Sequence, residues 1–251
     1  MTDTAGQPAD DSIERDPSFA ARHAWTIFAA AILILILTGL AALGIRGARR
    51  AARRNSATCQ MMQFGLAMHN YLDEHKSFPP QAITDKSGRP LLSWRVALLP
   101  YMEATALYEE FHLDEPWDSP HNIKLVSRMP SYYQSLAGER GTKTNYLLPV
   151  GKGALYTGTG AVSLKQLPDG TSKTFLIVEA DNDQAVTWSE PKDLAYNPAN
   201  PTRGLGKLWG GNFHVSLADG SVRVLSTNTD PRELRAGFDP ADGRGPNVDG
   251  F

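Results

Sequence analysis

The stretch AWTIFAAAILILILTGLAALGI, residues 24–45, contains no charged side chain and no polar face. At about 1.5 Å per residue, a helix of this length crosses the roughly 30 Å hydrocarbon core of a bilayer. A buried helix of a soluble domain is a poor alternative, because ILILILTGL has no side to turn toward water. The sequence therefore predicts one transmembrane helix near the N-terminus, with residues 46–251 following it.

A cleavable signal peptide is the competing interpretation of this stretch. Such peptides have an apolar core of about 7–15 residues, followed by a cleavage site with small residues at two positions. Here the apolar run is longer, and a polar tail of residues 1–23, expected to be disordered, precedes it. We therefore favour an uncleaved membrane anchor.

A basic cluster follows the predicted span and comprises Arg46, Arg49, Arg50, Arg53 and Arg54. Clusters in this position usually meet lipid headgroups. By the positive-inside rule they also predict that the C-terminal domain lies in the cytoplasm. With a formal net charge of −2, the chain as a whole offers no basic field for nucleic acid.

Residues 46–76 are expected to continue the helix, first basic and then amphipathic. Two series recur at helical spacing: Met61, Met68 and Leu72, in steps of seven and four, and Met62, Leu66 and His69, in steps of four and three. Phe78-Pro79-Pro80 predicts the end of the helix, because proline cannot continue its hydrogen bonds. This apolar stripe needs a partner surface, which residues 77–251 can supply.

Residues 77–251 are predicted to form one α+β globular head. Short helical segments come first, among them LLSWRVALLPYM, EATALYEEFHL and HNIKLVSRM, and glycine-punctuated strands follow. Asp219-Gly220, between the alternating strands NFHVSL and VRVL, is the strongest hairpin signal. Cys59 is the only cysteine, which excludes an intrachain disulfide and a thiolate zinc site. We expect a long N-terminal helix packed on an antiparallel sheet.

These segments occur in the same order as in a known protein family. The anchor, AARRNSATCQMMQFGLAMHNYLDEHKSFPP, LLSWRVALLPYMEATALYEEFHLDEPWDSPHN and GGNFHVSLADGSVRVL together resemble the planctomycete family of pseudopilin-like proteins, domain of unknown function 1559. The resemblance covers nearly the whole chain. It implies a pilin-like fold, with a head outside the cytoplasmic membrane, and type II secretion-like relatives. This location opposes the one that the arginines predict.

The chain departs from that family at two places. Ala24-Trp25-Thr26-Ile27-Phe28 stands where members carry a glycine-phenylalanine-threonine-leucine-isoleucine-glutamate processing site. Trp209 stands where many members have a histidine ten residues before the aspartate of the late Asp-Gly, and the nearby His214 alternates differently. We therefore do not extend to this chain the family's processing, its filament formation or any role of that histidine.

Two clusters of oxygen donors are candidate metal ligands. In FDPADGRGPNVDGF, glycines separate the donors that a calcium loop would use, as in major type II pseudopilins: Asp239, Asp242, Asn247 and Asp249. In LDEPWDSPHN the donors are Asp114, Glu115, Asp118 and His121. For this second cluster we favour a structural role before a helix start, with Trp117 as a buried anchor. Calcium is the one cofactor that the sequence suggests.

Catalytic motifs give no support for an enzyme. The sequence has no Gly-x-Ser-x-Gly elbow and no His-Glu-x-x-His, and GKGALYTGTG lacks the lysine-serine pair of a phosphate loop. His112, His121 and His214 lie on separate predicted elements and are expected to be ordinary polar residues.

Two functional hypotheses remain. The first is a structural or assembly protein of the cell envelope that packs laterally with copies or related proteins. It would use Met61, Met68 and Leu72, together with Gly39, Ala42 and Gly44 in the membrane. The second is a membrane-tethered extracytoplasmic module that binds an envelope polymer or other ligand through loops 151–160 and 191–211.

Overall fold

One long helix joins the two compact units of the chain, Met1–Ala52 and Arg53–Phe251. The computed structural model describes residues 17–243, with residues 17–24 and 42 described by their backbone alone. Helix α1, Pro17–His75, begins upstream of the predicted span. It ends where Lys76 adopts a left-handed φ of 60°, three residues before the first proline of Pro79-Pro80, which could not have continued the helix.

The apolar part of α1 leaves its side chains uncovered. Trp25 is 72% exposed and Leu35 is 71% exposed, and Ile32 still exposes 42% of its surface. Among the described residues, one helix is long and apolar enough to cross a membrane, and it contains this segment. The long apolar helix that the sequence predicted is therefore present, and its length and composition would allow it to span a membrane.

The second unit is α+β, as predicted. Its further helices are α2 (Trp94–Ala97), α3 (Thr105–Glu110) and α4 (Pro231–Phe238). Its strands are β1 (Ala82–Thr84), β2 (Pro90–Ser93), β3 (Lys143–Thr144), β4 (Tyr146–Leu147), β5 (Pro149–Val150), β6 (Phe175–Glu179), β7 (Val186–Thr187), β8 (Leu194–Ala195), β9 (Asn212–Leu217) and β10 (Val222–Ser226).

The central sheet has four antiparallel strands in the order β10-β9-β6-β4. Two further pairs, β1 with β2 and β3 with β7, are antiparallel, and β5 with β8 is parallel. The hairpin predicted at Asp219-Gly220 joins β9 to β10. Gly220 adopts a φ of 83°, and the Asp219 carboxylate accepts hydrogen bonds from the amide and hydroxyl of Ser221.

Two hydrophobic clusters cover the two faces of this sheet. One includes Met61, Phe64 and Met68 of α1 together with Ile177 of β6. The other includes Phe213, Val215 and Leu217 of β9, and it packs against Leu234 and Phe238 of α4. The head segment of α1 and helix α4 therefore lie on opposite faces, because alternate residues of a strand point to opposite sides.

The burial of the α1 stripe corrects one hypothesis. Met61 and Met68 are fully buried and Leu72 is 7% exposed, all within the core of the head. They pack on the sheet, as the periodicity predicted, and have no surface left for lateral packing with another chain. Met62 and Leu66 of the second predicted series are instead 47% and 64% exposed, so the prediction that this series also packs on the head is wrong for them.

Several short helices differ from their predicted form. HNIKLVSRM forms a 3-10 helix, Asn122–Arg128, rather than an α-helix. The predicted EATALYEEFHL helix is limited to α3. Trp117 is half-buried against the core, whereas Trp94 and Trp188 are the fully buried tryptophans. Helices this short are set by packing more than by their own sequence preference.

Candidate functional site

A concave site with converging polar groups lies at the end of α1, and we call it the tyrosine cleft. Its volume is about 800 Å³, within the range typical of ligand pockets. Its wall comprises Tyr71, Glu74, His75, Pro80, Ala82, Ile83, Thr84, Ala97, Pro100, Tyr101, Tyr108, Leu113, Thr159, Gly160 and Ala161. Three segments distant in the sequence thus form one wall.

Aromatic contacts fix the centre of the tyrosine cleft. The Tyr71 and His75 rings are neighbours one helical turn apart, with centroids 4.0 Å apart and planes inclined by 31°. The Tyr101 ring lies edge-on to Tyr71 at 5.5 Å. The Tyr101 hydroxyl donates to Glu74 Oε2 at 2.7 Å and lies 2.9 Å from His75 Nε2.

Two tyrosine hydroxyls of the cleft hold their protons firmly. Burial, followed by the charges of Tyr108 and Glu74, raises the pKa of Tyr71 above its ordinary value. Burial and the hydrogen bond to Glu74 also raise the pKa of Tyr101. Both groups are therefore neutral hydroxyls at physiological pH, able to donate and accept hydrogen bonds.

A second polar group, which we call the Glu179 cluster, is enclosed within the head. Glu179 ends β6 and accepts hydrogen bonds from three side chains. Ser135 Oγ donates to Oε1 at 2.5 Å, Trp209 Nε1 donates to Oε2 at 2.7 Å, and His214 Nδ1 lies 2.8 Å from Oε2. Glu179 and His214 are 1% and 0% exposed.

The Glu179–His214 pair has the geometry in which a carboxylate orients an imidazole for base catalysis. However, His214 Nε2, the atom that would take a proton from a substrate, is buried and has no hydrogen-bond partner in the described part of the chain. Ser135 bonds to the carboxylate and not to the imidazole. As arranged here, the cluster joins β6 and β9 to the 135 and 209 loops and offers no approach to a substrate.

A third polar group secures the 191–211 loop, one of the two predicted binding loops. Asp193 Oδ1 accepts hydrogen bonds from Arg95 Nη2 at 2.6 Å, from Trp94 Nε1 at 3.1 Å and from the Leu148 amide at 3.0 Å. The side chains of Arg95 and Asp193 are both fully buried. The start of this loop is thus part of the core. The other predicted loop, 151–160, contributes Thr159 and Gly160 to the tyrosine cleft.

The LDEPWDSPHN segment is organised around a buried asparagine. Asn122 is fully buried, its Nδ2 donates to the carbonyls of His112, Glu115 and Pro116, and its Oδ1 accepts from the His112 amide. Ser119 Oγ accepts from the Asn122 amide. These contacts give the segment the structural role that we favoured.

Two histidines expected on separate elements are brought together here. The rings of His112 and His121 are stacked, with centroids 3.6 Å apart. His112 Nδ1 lies 2.9 Å from Glu115 Oε1, and His121 Nε2 lies 2.8 Å from the Glu110 carbonyl. The hydrogen bond with His112, followed by one with Ser119, lowers the pKa of Glu115. Within residues 17–243, no group of three or more histidine, cysteine, aspartate or glutamate side chains is placed to hold a metal ion.

The predicted calcium loop is only half described. Asn247 and Asp249 lie outside the described residues. Asp239 Oδ1 accepts from the Ala241 amide, and Asp239 and Asp242 line a shallow depression that also includes Arg232 and Arg235. Asp230 and Glu233 line the same depression, so four carboxylates lie beside two guanidinium groups there. Calcium binding stays a prediction, and nothing below depends on it.

The five arginines of the basic cluster fall into both units. Arg46, Arg49, Arg50 and Arg53 are exposed. Arg54 is half-buried, and its Nη2 donates to the Trp209 carbonyl at 3.3 Å. Arg54 therefore packs partly against the head. This contact corrects the prediction that all five arginines of the cluster meet lipid headgroups.

Comparison with known proteins gives one match. Residues 46–134 match the family model described as "Protein of unknown function (DUF1559)". No curated protein and no solved structure matches the chain. The match confirms, for that segment, the resemblance to domain of unknown function 1559. Five residues of the tyrosine cleft that matter below lie in it: Tyr71, Glu74, His75, Tyr101 and Tyr108.

Proposed function

We propose that the chain is a single-pass membrane protein that acts as a pseudopilin-like structural or assembly component of the cell envelope, with its head on the extracytoplasmic side of the cytoplasmic membrane. The proposal includes no catalytic activity. Helix 24–45 would be the anchor, and the lipid bilayer the first partner. This orientation follows the family resemblance and opposes the arginine count.

The observation that carries the proposal is the uncovered apolar surface of α1. Its side chains between Trp25 and Ile45 expose from 42% to 72% of their area where they are large and hydrophobic. A contiguous apolar surface of this extent is unfavourable in water and marks a surface for lipid or for other helices. The enclosed Glu179–His214 pair, which has no approach for a substrate, further favours a structural role.

Lateral association is assigned to the membrane segment rather than to the α1 stripe. A Cβ built on Gly39 or Gly44 meets no atom within 4 Å, so a second helix could approach closely at these positions. Small residues of this kind allow close packing between membrane helices. We therefore propose that copies of the chain, or related proteins, pack along this membrane segment.

Anchoring is tested by washing membranes with alkaline carbonate. The full chain should stay in the membrane pellet, whereas a full-length variant with Leu35→Arg and Leu37→Arg should be released. The matched control is Leu164→Arg, at an exposed leucine of the head, which should leave the chain in the pellet. Release of the unchanged chain would contradict the proposal.

Association is tested with Cys59, the only cysteine, which lies exposed on α1. A bifunctional maleimide should crosslink the membrane-bound chain into dimers, and Gly39→Leu with Gly44→Leu should reduce the yield. Cys59→Ser is the control for specificity. An unchanged yield in the glycine variant would overturn the assignment of lateral packing to these glycines.

The tyrosine cleft favours a second candidate function. A concave site with three tyrosines is a feature of a binding protein rather than of a passive scaffold. The alternative is therefore a membrane-tethered module that binds a ligand at its head. Both candidate functions need the membrane anchor, so the carbonate wash tests both. The crosslinking experiment and a ligand-binding experiment distinguish them.

A further inference from the structure

The wall of the tyrosine cleft combines aromatic rings with a low density of charge. Its described lining includes three tyrosines, two prolines, Ile83 and Leu113, and it contains no lysine or arginine. Glu74 is the one carboxylate in the wall. Recognition of phosphate or carboxylate groups depends on cationic donors, so this wall does not favour an anionic ligand.

Several hydrogen-bonding groups in the cleft are available to a ligand. The hydroxyls of Tyr71 and Tyr108 make no hydrogen bond within the described part of the chain, whereas Tyr101 is held by Glu74. Glu74 uses Oε2 for that bond, and its side chain is exposed, so Oε1 can accept from a ligand. The neutral hydroxyl of Tyr71 can both donate and accept a hydrogen bond.

The size and chemistry of the cleft favour one class of ligand. A tyrosine offers a flat apolar face and a polar tip, and a sugar ring likewise has an apolar C–H face and an edge of hydroxyls. A volume of about 800 Å³ is larger than a small cation requires, and no cationic lining is needed for a neutral sugar. The cleft therefore matches a chain of several sugar rings.

We propose that the tyrosine cleft binds a neutral oligosaccharide, with the rings of Tyr71, Tyr101 and Tyr108 packing against sugar rings and with Glu74 Oε1 accepting hydrogen bonds from sugar hydroxyls. The inference deepens the second candidate function by naming its site and ligand class. It does not depend on membrane anchoring or on lateral association, whose tests use no saccharide.

The test is isothermal titration calorimetry of the full chain with five probes: maltohexaose, cellohexaose, xylohexaose, mannohexaose and chitohexaose. The chain is solubilised in a polyoxyethylene detergent, because maltoside detergents carry a competing sugar. At least one probe should bind. Tyr71→Ala should weaken that binding about tenfold, which corresponds to about 1.4 kcal/mol.

Matched variants separate recognition from folding. Tyr71→Phe keeps the ring and should weaken binding less than Tyr71→Ala. Glu74→Gln keeps an oxygen acceptor, whereas Glu74→Ala removes it and should weaken binding further. Tyr196→Phe, at a tyrosine outside the cleft, should leave the affinity unchanged, and its melting temperature serves as the reference for foldedness.

Two results would overturn the inference. One is the absence of binding by all five saccharides to a folded chain. The other is binding of choline without binding of any saccharide, which would assign the tyrosines to a cation-binding cage. Failure of either kind would leave the carbonate and crosslinking results, and with them the proposed function, unaffected.

Discussion

Gly65 of α1 lies against Gly220 of the β9–β10 hairpin, so close that a Cβ at position 65 would come within 2.7 Å of the Gly220 Cα. The neighbouring atoms belong to backbone, which cannot rotate away as a side chain can. This contact fixes how the helix crosses the hairpin. The contact explains the glycine at position 65, whereas Gly220 is favoured by its own φ of 83°.

Gly65→Ala should therefore destabilise the head despite the better helix preference of alanine. We expect a loss of about 1–3 kcal/mol in the free energy of unfolding, the usual cost of overpacking, measured by urea denaturation in detergent. The control is Gly47→Ala, because a Cβ there meets no atom within 4 Å. If Gly65→Ala and Gly47→Ala were equally stable, the close contact between Gly65 and Gly220 would be contradicted.

Glu179→Ala should destabilise the head more strongly. The change leaves the donors of Ser135, Trp209 and His214 without their acceptor inside the core. Each unsatisfied buried donor costs about 1–3 kcal/mol, so we expect a total of about 3 kcal/mol or more. Glu109→Ala, on the exposed side of α3, is the control and should change stability by no more than about 0.5 kcal/mol.

A charge should destabilise the head at one apolar residue of α1 and have little effect at another. Met68→Asp places a carboxylate in the core, where Met68 is fully buried, and should abolish cooperative unfolding. Leu66→Asp changes a residue that is 64% exposed and should leave the melting curve nearly unchanged. Comparable curves for the two variants would contradict the orientation of α1 on the sheet.

Asp181 should make the head less stable as pH rises. Its Oδ1 accepts from the amides of Lys207 and Leu208, whereas Oδ2 is buried without a partner in the described residues. Burial raises its pKa above the ordinary value. The folded chain then binds this proton more tightly than the unfolded chain, so the destabilisation is absent below the unfolded pKa and complete above the folded one.

Asp181→Asn removes that titration. Relative to the parent chain, the variant should gain stability as pH is raised from about 3 to 7, because only the parent must ionise a buried carboxyl. Urea denaturation at a series of pH values measures the difference. A difference that is constant with pH, or that shrinks as pH rises, would show that Asp181 is not responsible.

The sequence predicted the elements that depend on local pattern. The charge-free run identified a helix long and apolar enough to span a membrane. The recurrence of Met61, Met68 and Leu72 identified a face of α1 that packs on the head, but the equally spaced Met62 and Leu66 are exposed. Asp219-Gly220 identified the hairpin because its turn needs a positive φ. Each of these structures is determined by residues that are close together in the sequence.

The sites could not be predicted in the same way because they depend on long-range pairing. Glu179 meets His214 only because β6 pairs with β9, and the tyrosine cleft requires three segments to converge. One signal for Glu179 was available, since a carboxylate directly after the apolar run FLIV must find partners if the strand is buried. No comparable signal joined Tyr71 to Tyr101.

The central claim is that the head lies outside the cytoplasmic membrane, and Cys59 tests it most directly because it is the only cysteine and is exposed. Intact spheroplasts are treated with a membrane-impermeant maleimide, with permeabilised cells and Cys59→Ser as controls. The account predicts full labelling of Cys59 in intact spheroplasts. Labelling only after permeabilisation would place the head in the cytoplasm, as the arginines predict, and would contradict the proposed location.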